Sequence, residues 1–326
     1  MISVHRLIYN KFSSLDFNLI TCLSFDGDNG ETNTYLNREA VASENYRGDL
    51  RRVHNYKYNE ILAPVITFIK EDYEDFTMDE HRKILKWLTS KDTASFLTVY
   101  HDDSEVITYE ILGAFTEIQT YKLSNGRIVG ITATFESVTP WAFSSLHTIT
   151  KNVSDPADAI ITIQLETDDP QTPVYPRITI QQNSDTNIIE INRVLTDKDR
   201  WIEGSVFKNI NNDKYYWVDS EGVKHISDTD DSGFETTSVS ITNAYTDEDN
   251  VTYLFDTVVK NNIKEEMITM DGANRVILSS RANDRIFGND FDWKWIPLYD
   301  GENNLSFVGN CIVTIEWREP IKCGDF

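Results

Sequence analysis

The residue types best able to do chemistry are scattered along this chain. Six histidines, His5, His54, His81, His101, His147 and His225, show no HExxH pattern and no pair at helical ligand spacing, so neither a metal centre nor a general base is written into them. Cys22, Cys311 and Cys323 form no CxxC pair and are odd in number, which argues against a zinc ribbon and a disulfide framework. No serine stands in GxSxG, and no GxGxxG or GxxxxGK[ST] loop is present to cradle phosphate. Asp228-Thr229-Asp230-Asp231-Ser232-Gly233 matches the opening of a calcium loop, but the twelfth position, where a bidentate glutamate belongs, is Val239. The acidic, glycine-bearing Asp26–Glu31 completes no ligand pattern either. Glycoside hydrolysis needs two carboxylates at a set spatial separation, and 53 acidic residues give no sequence means of picking such a pair. The expectation is no catalytic residue, no metal and no cofactor.

Binding chemistry has more to work with. Arg47-Gly48-Asp49-Leu50-Arg51-Arg52-Val53-His54, with Lys57, is the basic island of the first half. It reads either as a surface strand with local ion pairs or as a patch that meets acidic surface on a neighbouring subunit, where arginine offers planar bidentate contacts. The acidic loop Asp26–Tyr46 and the turn Ser124–Arg127, with Asn125 and Arg127, are further candidate docking elements. Aromatics gather at Tyr215-Tyr216-Trp217 and at Trp293, Trp295 and Trp317. Exposed rings of this kind stack on sugars; buried ones pack a β core. Trp293 and Trp295 alternate, which on a strand would put both on one face.

The elements that must position these residues read mostly as strands. Leu97–Tyr100 and Val106–Leu112 flank a polar turn, His101–Ser104. Phe115–Leu123 and Ile128–Phe135 flank Ser124-Asn125-Gly126, a hairpin signal because Asn and Gly tolerate positive φ. Ile160–Leu165, Ile178–Gln182 and Ile188–Leu195 alternate as half-buried strands do, and Leu305–Val308 with Ile312–Trp317 reads as a last hairpin-like pair. One helix stands out. Thr77 and Glu80 form a capping box, followed by a stripe of His81, Ile84, Leu85 and Leu88, with Trp87 off the stripe and the end near Ser90. Tyr253–Lys260 is a weaker helical candidate.

At ~150 residues per domain, 326 residues imply about two domains. A boundary falls near Pro140. Residues 1–150 hold 14 basic and 21 acidic residues, and residues 151–326 hold 16 and 32. The stretch 197–249 reads as long loops or a projecting hairpin on a β domain. A net charge of −23 opposes nucleic acid and anionic lipid. The most apolar run, Ile61–Ile69, is far shorter than the ~20 residues of a membrane helix. The opening MISVHRLIYNKFSSLDF lacks a signal-peptide pattern, so a soluble product made in the cytosol is expected.

In order, the chain runs through a strand Val65–Ile69, an acidic break, the capped helix Thr77–Leu88 ending in Trp-Leu, then Phe96–Tyr100 and Thr108–Leu112. An Asn-Gly hairpin follows, and Thr134-Phe135-Glu136 leads to Pro140-Trp141-Ala142. Near the end come Trp295-Ile296-Pro297-Leu298, Gly301–Leu305, Gly309-Asn310 and Ile315-Glu316-Trp317-Arg318. This ordered set resembles the siphophage-type distal tail protein (Dit) family over most of residues 1–145 and about 267–326, fading between 197 and 266. The resemblance implies a mainly β fold: an N-terminal β-sandwich-like belt domain with one helix (residues 1–145), and a C-terminal galectin-like β-sandwich (146–326) with a long extension around 197–266. It implies a homohexameric ring at the virion tail tip that joins the tail tube protein to a tail-tip hub or tail-associated protein and carries receptor-binding proteins. It implies no enzymatic activity and no nucleic-acid or membrane partner. The galectin sugar signature, paired His/Asn/Arg and Trp/Glu/Arg, is not found; Trp317-Arg318-Glu319 is out of order for it. The alternative is a carbohydrate-binding tail adhesin with Tyr216, Trp217 and Trp293 stacking on cell-wall sugar. A cell-wall hydrolase is a third class, without a residue to support it.

Overall fold

A computed structural model describes residues 2–24, 38–43, 52–58, 61–154, 160–169, 172–184, 186–194, 206–209, 214–219, 223–229, 231, 244–246, 252–281, 285 and 287–322. Along the chain run β1 (Ile2–Val4), β2 (Arg6–Tyr9), β3 (Phe12–Ser13), β4 (Leu19–Ser24), β5 (Arg38–Ser43), β6 (Arg52–Tyr58), β7 (Val65–Lys70), helix α1 (Met78–Leu88), β8 (Ser95–Tyr100), β9 (Tyr109–Lys122), β10 (Ile128–Ser137) and β11 (Ala142–Phe143). Then come β12 (His147–Val153), β13 (Ile160–Leu165), β14 (Arg177–Gln182), β15 (Thr186–Val194), β16 (Phe207–Asn209), β17 (Lys214–Val218), β18 (Lys224–Ser227), β19 (Ala244–Thr246) and β20 (Thr252–Asn262). The series closes with β21 (Met267–Asp271), β22 (Val276–Ser279), the one-turn helix α2 (Phe287–Asp290), β23 (Gly301–Val308), β24 (Cys311–Trp317) and β25 (Pro320–Ile321). The protein is mainly β, and it divides into two compact units: residues 1–145 with 319–326, and residues 146–318.

The first unit is built on an antiparallel sheet ordered β1-β4-β7-β10-β9-β8-β2-β3, with β11 pairing both β9 and β25. Its core joins Leu7, Tyr9, Leu23, Phe68, Ile111, Ile131 and Phe135 to Ile84, Trp87 and Leu88 of α1. The helix starts where the sequence says it should. Glu80 N donates to Thr77 Oγ1 at 3.3 Å, and Thr77 N donates to Glu80 Oε2 at 2.8 Å, so two orphan amides are satisfied reciprocally. Its buried face is turned from the expected stripe toward Trp87. That indole stacks on Phe17 at 4.9 Å and donates Nε1–H to the Tyr9 carbonyl at 2.8 Å, so burying the largest ring leaves its polar handle satisfied.

Two expected strands, 106–112 and 115–123, are one. β9 pairs β8 up to Gly113 and pairs β10 from Gly113 onward. A Cβ at Gly113 would run into the Glu136 carbonyl, so the turn of the strand from one partner to the next needs glycine there. At the β9–β10 tip only Gly126 of the Asn-Gly pair takes positive φ, +83°. The expected loop 26–46 contains a strand: β5 pairs β6 antiparallel, with Lys57 opposite Glu39 and Arg52 opposite Ser43.

The second unit has two five-stranded antiparallel sheets, β12-β24-β14-β21-β22 and β13-β23-β15-β20-β19. Alternate residues of both, among them Ile161, Ile163, Ile178, Ile180, Ile189, Phe307, Val313 and Ile315, share one core. Two expectations fail here. β23 and β24 are not a hairpin: β23 pairs β13 and β15, while β24 pairs β12 and β14, so the two-residue link Gly309-Asn310 crosses between sheets. Tyr253–Lys260 is not a helix but the middle of β20, paired with β15 across a bulge at Ile191/Asn192. Residues 252–262 therefore belong to the sandwich rather than to the extension. The described part of the extension includes a three-stranded antiparallel sheet, β16-β17-β18.

One end of the second unit is closed by buried charge. The Arg285 side chain is 1 % exposed and that of Glu266 0 %, with Nε to Oε1 at 3.1 Å off the line of a hydrogen bond. Arg285 also donates to the Asn262 side-chain oxygen at 2.6 Å and to the carbonyls of Lys260 and Asn261, and its Nη1 lies 3.4 Å from Asp290. Ser279 Oγ donates to Glu266 at 2.7 Å. The network ties α2 to the β20–β21 turn.

Candidate assembly and binding surfaces

Of the basic island, Arg52 and Lys57 lie on β6, while Arg47 and Arg51 lie outside the described residues. The Asn125–Arg127 turn is held by its own chain. Asn125 Oδ1 accepts from Arg127 N at 3.1 Å, and Arg127 Nε is ion-paired with Asp75 Oδ2, although the Arg127 side chain stays 60 % exposed. Phe76 bridges Ile128 at the base of the same hairpin. Tyr121 and Leu123 stand exposed beside the tip. The tip therefore presents apolar rings and chain next to a cation already shared with Asp75, rather than a bare positive charge. His81 packs between α1 and β9, its Nε2 3.0 Å from Thr120 Oγ1, and burial holds the ring below the usual imidazole range.

The aromatic candidates separate. Trp217 is buried, with its ring stacked on His225 at 5.2 Å and 12°, and His225 Nε2 meets Asp219 Oδ2 at 2.7 Å. One indole face is thus taken. Tyr216 lies on β17 opposite Phe207 and Ile226. Trp293 is 52 % exposed. Trp293 and Trp295 are not on a strand: Trp293 has φ +58°, which breaks the alternation, and both rings instead meet Phe291 edge-on at 5.4 and 5.3 Å. Trp317 is buried in the core with His147 stacked on it.

Among the described residues no group of three His, Cys, Asp or Glu side chains is placed to hold a metal, and no helix is long and apolar enough to cross a membrane. The calcium-like run is described only at Asp228, Thr229 and Asp231, where Thr229 Oγ1 donates to Asp231 at 2.7 Å in a local turn. Asp26–Glu31 lies outside the described residues. The Arg285–Glu266 cluster escaped sequence reading altogether, because its members are 19 residues apart and carry no motif.

Comparison with known proteins gives two family matches: a phage tail protein N-terminal domain over residues 2–138 and a phage tail C-terminal domain over residues 207–317. Among solved structures, the crystal structure of SPP1 Dit (gp 19.1), described as a paradigm of the hub adsorption apparatus in phages infecting Gram-positive bacteria, is similar over 98% of this chain and 99% of that one, at 9% identity and a TM-score of 0.53. The phage P2 baseplate in its activated conformation with Ca aligns over 99% and 100%, at 7% identity and a TM-score of 0.48. No curated protein sequence matches.

Proposed function

The chain belongs to a family of phage tail proteins, and on that premise we propose that it is the distal tail protein of a phage or prophage-derived tail. In this reading its first unit forms a closed, homohexameric ring at the tail tip. The ring joins the tail tube protein to the tail-tip hub or tail-associated protein, and the second unit, taken as galectin-like, offers a platform for receptor-binding proteins. The function is geometric, and no catalytic step is part of it. A ring requires heterologous contacts, one face of each subunit against a different face of the next. Open sheet edges and hairpins such as β5–β6 and the β9–β10 tip, with Arg47, Arg51, Arg52, Lys57, Asn125 and Arg127, are the natural docking elements.

The observation that carries the reading is fold agreement with SPP1 Dit over 98% of the chain, rather than over one unit alone. Mass photometry and negative-stain imaging of the purified protein test it. Six copies of a 37.6 kDa chain give a ring of about 226 kDa. Antibody labelling of intact particles should decorate the tail tip. A protein that stays at 37.6 kDa at every concentration, on particles labelled elsewhere along the tail, overturns the reading.

A further inference from the structure

We propose that Asn125 is a self-modification site: its side-chain amide closes onto the Gly126 nitrogen, loses ammonia and is opened by water to aspartate or isoaspartate, at a rate metered by the β9–β10 turn. This goes beyond the connector reading and stands whether or not rings form.

The electrophile is held ready. In an Asn-Gly pair the next backbone nitrogen can reach the side-chain amide carbon with least hindrance, because glycine has no Cβ to stand in the way. Here the pair sits at a hairpin tip where residues 121–127 are all exposed, and a Cβ built at Gly126 would meet nothing within 4 Å. Solvent base and water therefore reach the site. Asn125 Oδ1 accepts from Arg127 N at 3.1 Å, an Asx turn that folds the side chain along the Gly126 peptide instead of out into solvent. The same N–H stands where negative charge gathers on that oxygen once a nitrogen adds to its carbon.

The nucleophile is held back. Gly126 N donates to Leu123 O at 2.8 Å, closing a turn over Ser124 and Asn125, and Leu123 N donates to Arg127 O at 2.9 Å beneath it. A nitrogen in such a bond keeps its proton and aims it at Leu123. Arg127 Nε, ion-paired with Asp75, fastens the tip to the loop before α1. The reaction waits until the tip opens. Loop tips open at the low end of the free-energy scale, so the turn delays the step without preventing it.

The step balances within the chain and solvent. Solvent base takes the Gly126 amide proton, a bond forms from that nitrogen to Asn125 Cγ, and the side-chain nitrogen leaves as ammonia. Water then adds to either carbonyl of the resulting succinimide. One opening gives aspartate; the other gives isoaspartate, whose main chain runs through the former side chain. Either product sets a new carboxylate beside Arg127, which already serves Asp75. Isoaspartate also lengthens the chain between Leu123 and Gly126, so the turn bond cannot re-form in its present register.

Peptide mapping by mass spectrometry, with an isoaspartyl methyltransferase assay, tests this on the full chain aged at mildly alkaline pH, in buffer and unfolded in urea. Mapping keeps the site apart from Asn29-Gly30, the chain's other such pair. The folded chain should convert at Asn125 to both products, about tenfold more slowly than the unfolded chain, because only the open tip reacts. Asp75→Ala removes the fastening and should speed conversion of the folded chain about threefold while leaving the unfolded rate unchanged. Asn125→Gln should show no conversion on this timescale. The proposal is overturned if the folded chain does not convert at Asn125, if it converts as fast as the unfolded chain, if aspartate forms without isoaspartate, or if Asp75→Ala leaves the folded rate as it was.

Discussion

Replacing Arg285 with alanine should cost the second unit about 3–5 kcal/mol, because it strands a buried carboxylate rather than merely removing a bond. The wild-type guanidinium faces Glu266, whose side chain is fully buried, and Asp290, which is nearly so. Without Arg285, Glu266 keeps the Ser279 hydroxyl at 2.7 Å, the Ile263 amide at 3.3 Å and the Arg281 guanidinium at 3.5 Å. Those contacts replace only part of its lost solvation. The carbonyls of Lys260 and Asn261 lose their shared donor as well. For a unit of residues 146–318, a loss of that size lowers the thermal midpoint by about 10 °C. Urea unfolding followed by far-UV circular dichroism would show it as an earlier transition of unchanged slope. The decisive variant is the pair Arg285→Met with Glu266→Gln, which removes both members of the fully buried pair and leaves Asp290 with the Asn261 amide. It should recover at least half of the single variant's loss. A loss below about 1 kcal/mol for Arg285→Ala, or a pair no better than the sum of its singles, would refute the reasoning, since either result means the carboxylate was never dependent on its partner.

Two further outcomes follow from the structure. Gly113→Ala puts a methyl group against the Glu136 carbonyl where β9 changes partners, so the first unit should lose about 1–3 kcal/mol, seen as a lowered thermal midpoint or as insoluble protein; an unchanged midpoint would mean the strand can part from β10 there without cost. Burial between Val258 and Val308 raises the Glu190 carboxyl above its ordinary range. A carboxyl raised in the folded state costs stability as pH climbs from its unfolded range through its folded one. Glu190→Gln should therefore raise the midpoint at pH 7 by about 1–3 °C and leave it little changed in acid, and a drop at pH 7 would contradict the assignment.

Local signals were legible where the physics is local. Thr77 and Glu80 satisfy orphan amides within one turn, so the helix start can be read from four residues. Asn125-Gly126 places the β9–β10 turn because glycine alone takes φ +83° there without strain. Alternation placed β13 and β14 within a residue of their ends, since period-two burial is a property of each strand by itself. The mainly β character was equally readable from residue types and order.

Partner choice was not. The stretch 253–260 carries β-branched and aromatic residues at spacings compatible with either period, and pairing with β15 across a bulge made it a strand. β23 and β24 sit two residues apart and look like a hairpin, yet each buries its alternate side chains only by joining a different sheet of the sandwich. Trp87 and Trp217 are the same residue type as Trp293. The first two are buried by Phe17 and His225, brought close by chain folding, while the third is held outward by a left-handed backbone. Arg285 and Glu266 meet because β20, β21 and α2 converge, and the return of Glu319–Ile321 to pair with the first unit is a contact across some 180 residues. The sequence by itself determined where the chain caps its helix, turns and alternates, because those choices are made over a few bonds. Which strands became neighbours, and which charges and rings were buried together, was decided only by the tertiary structure, because burial is a sum over residues far apart in the chain.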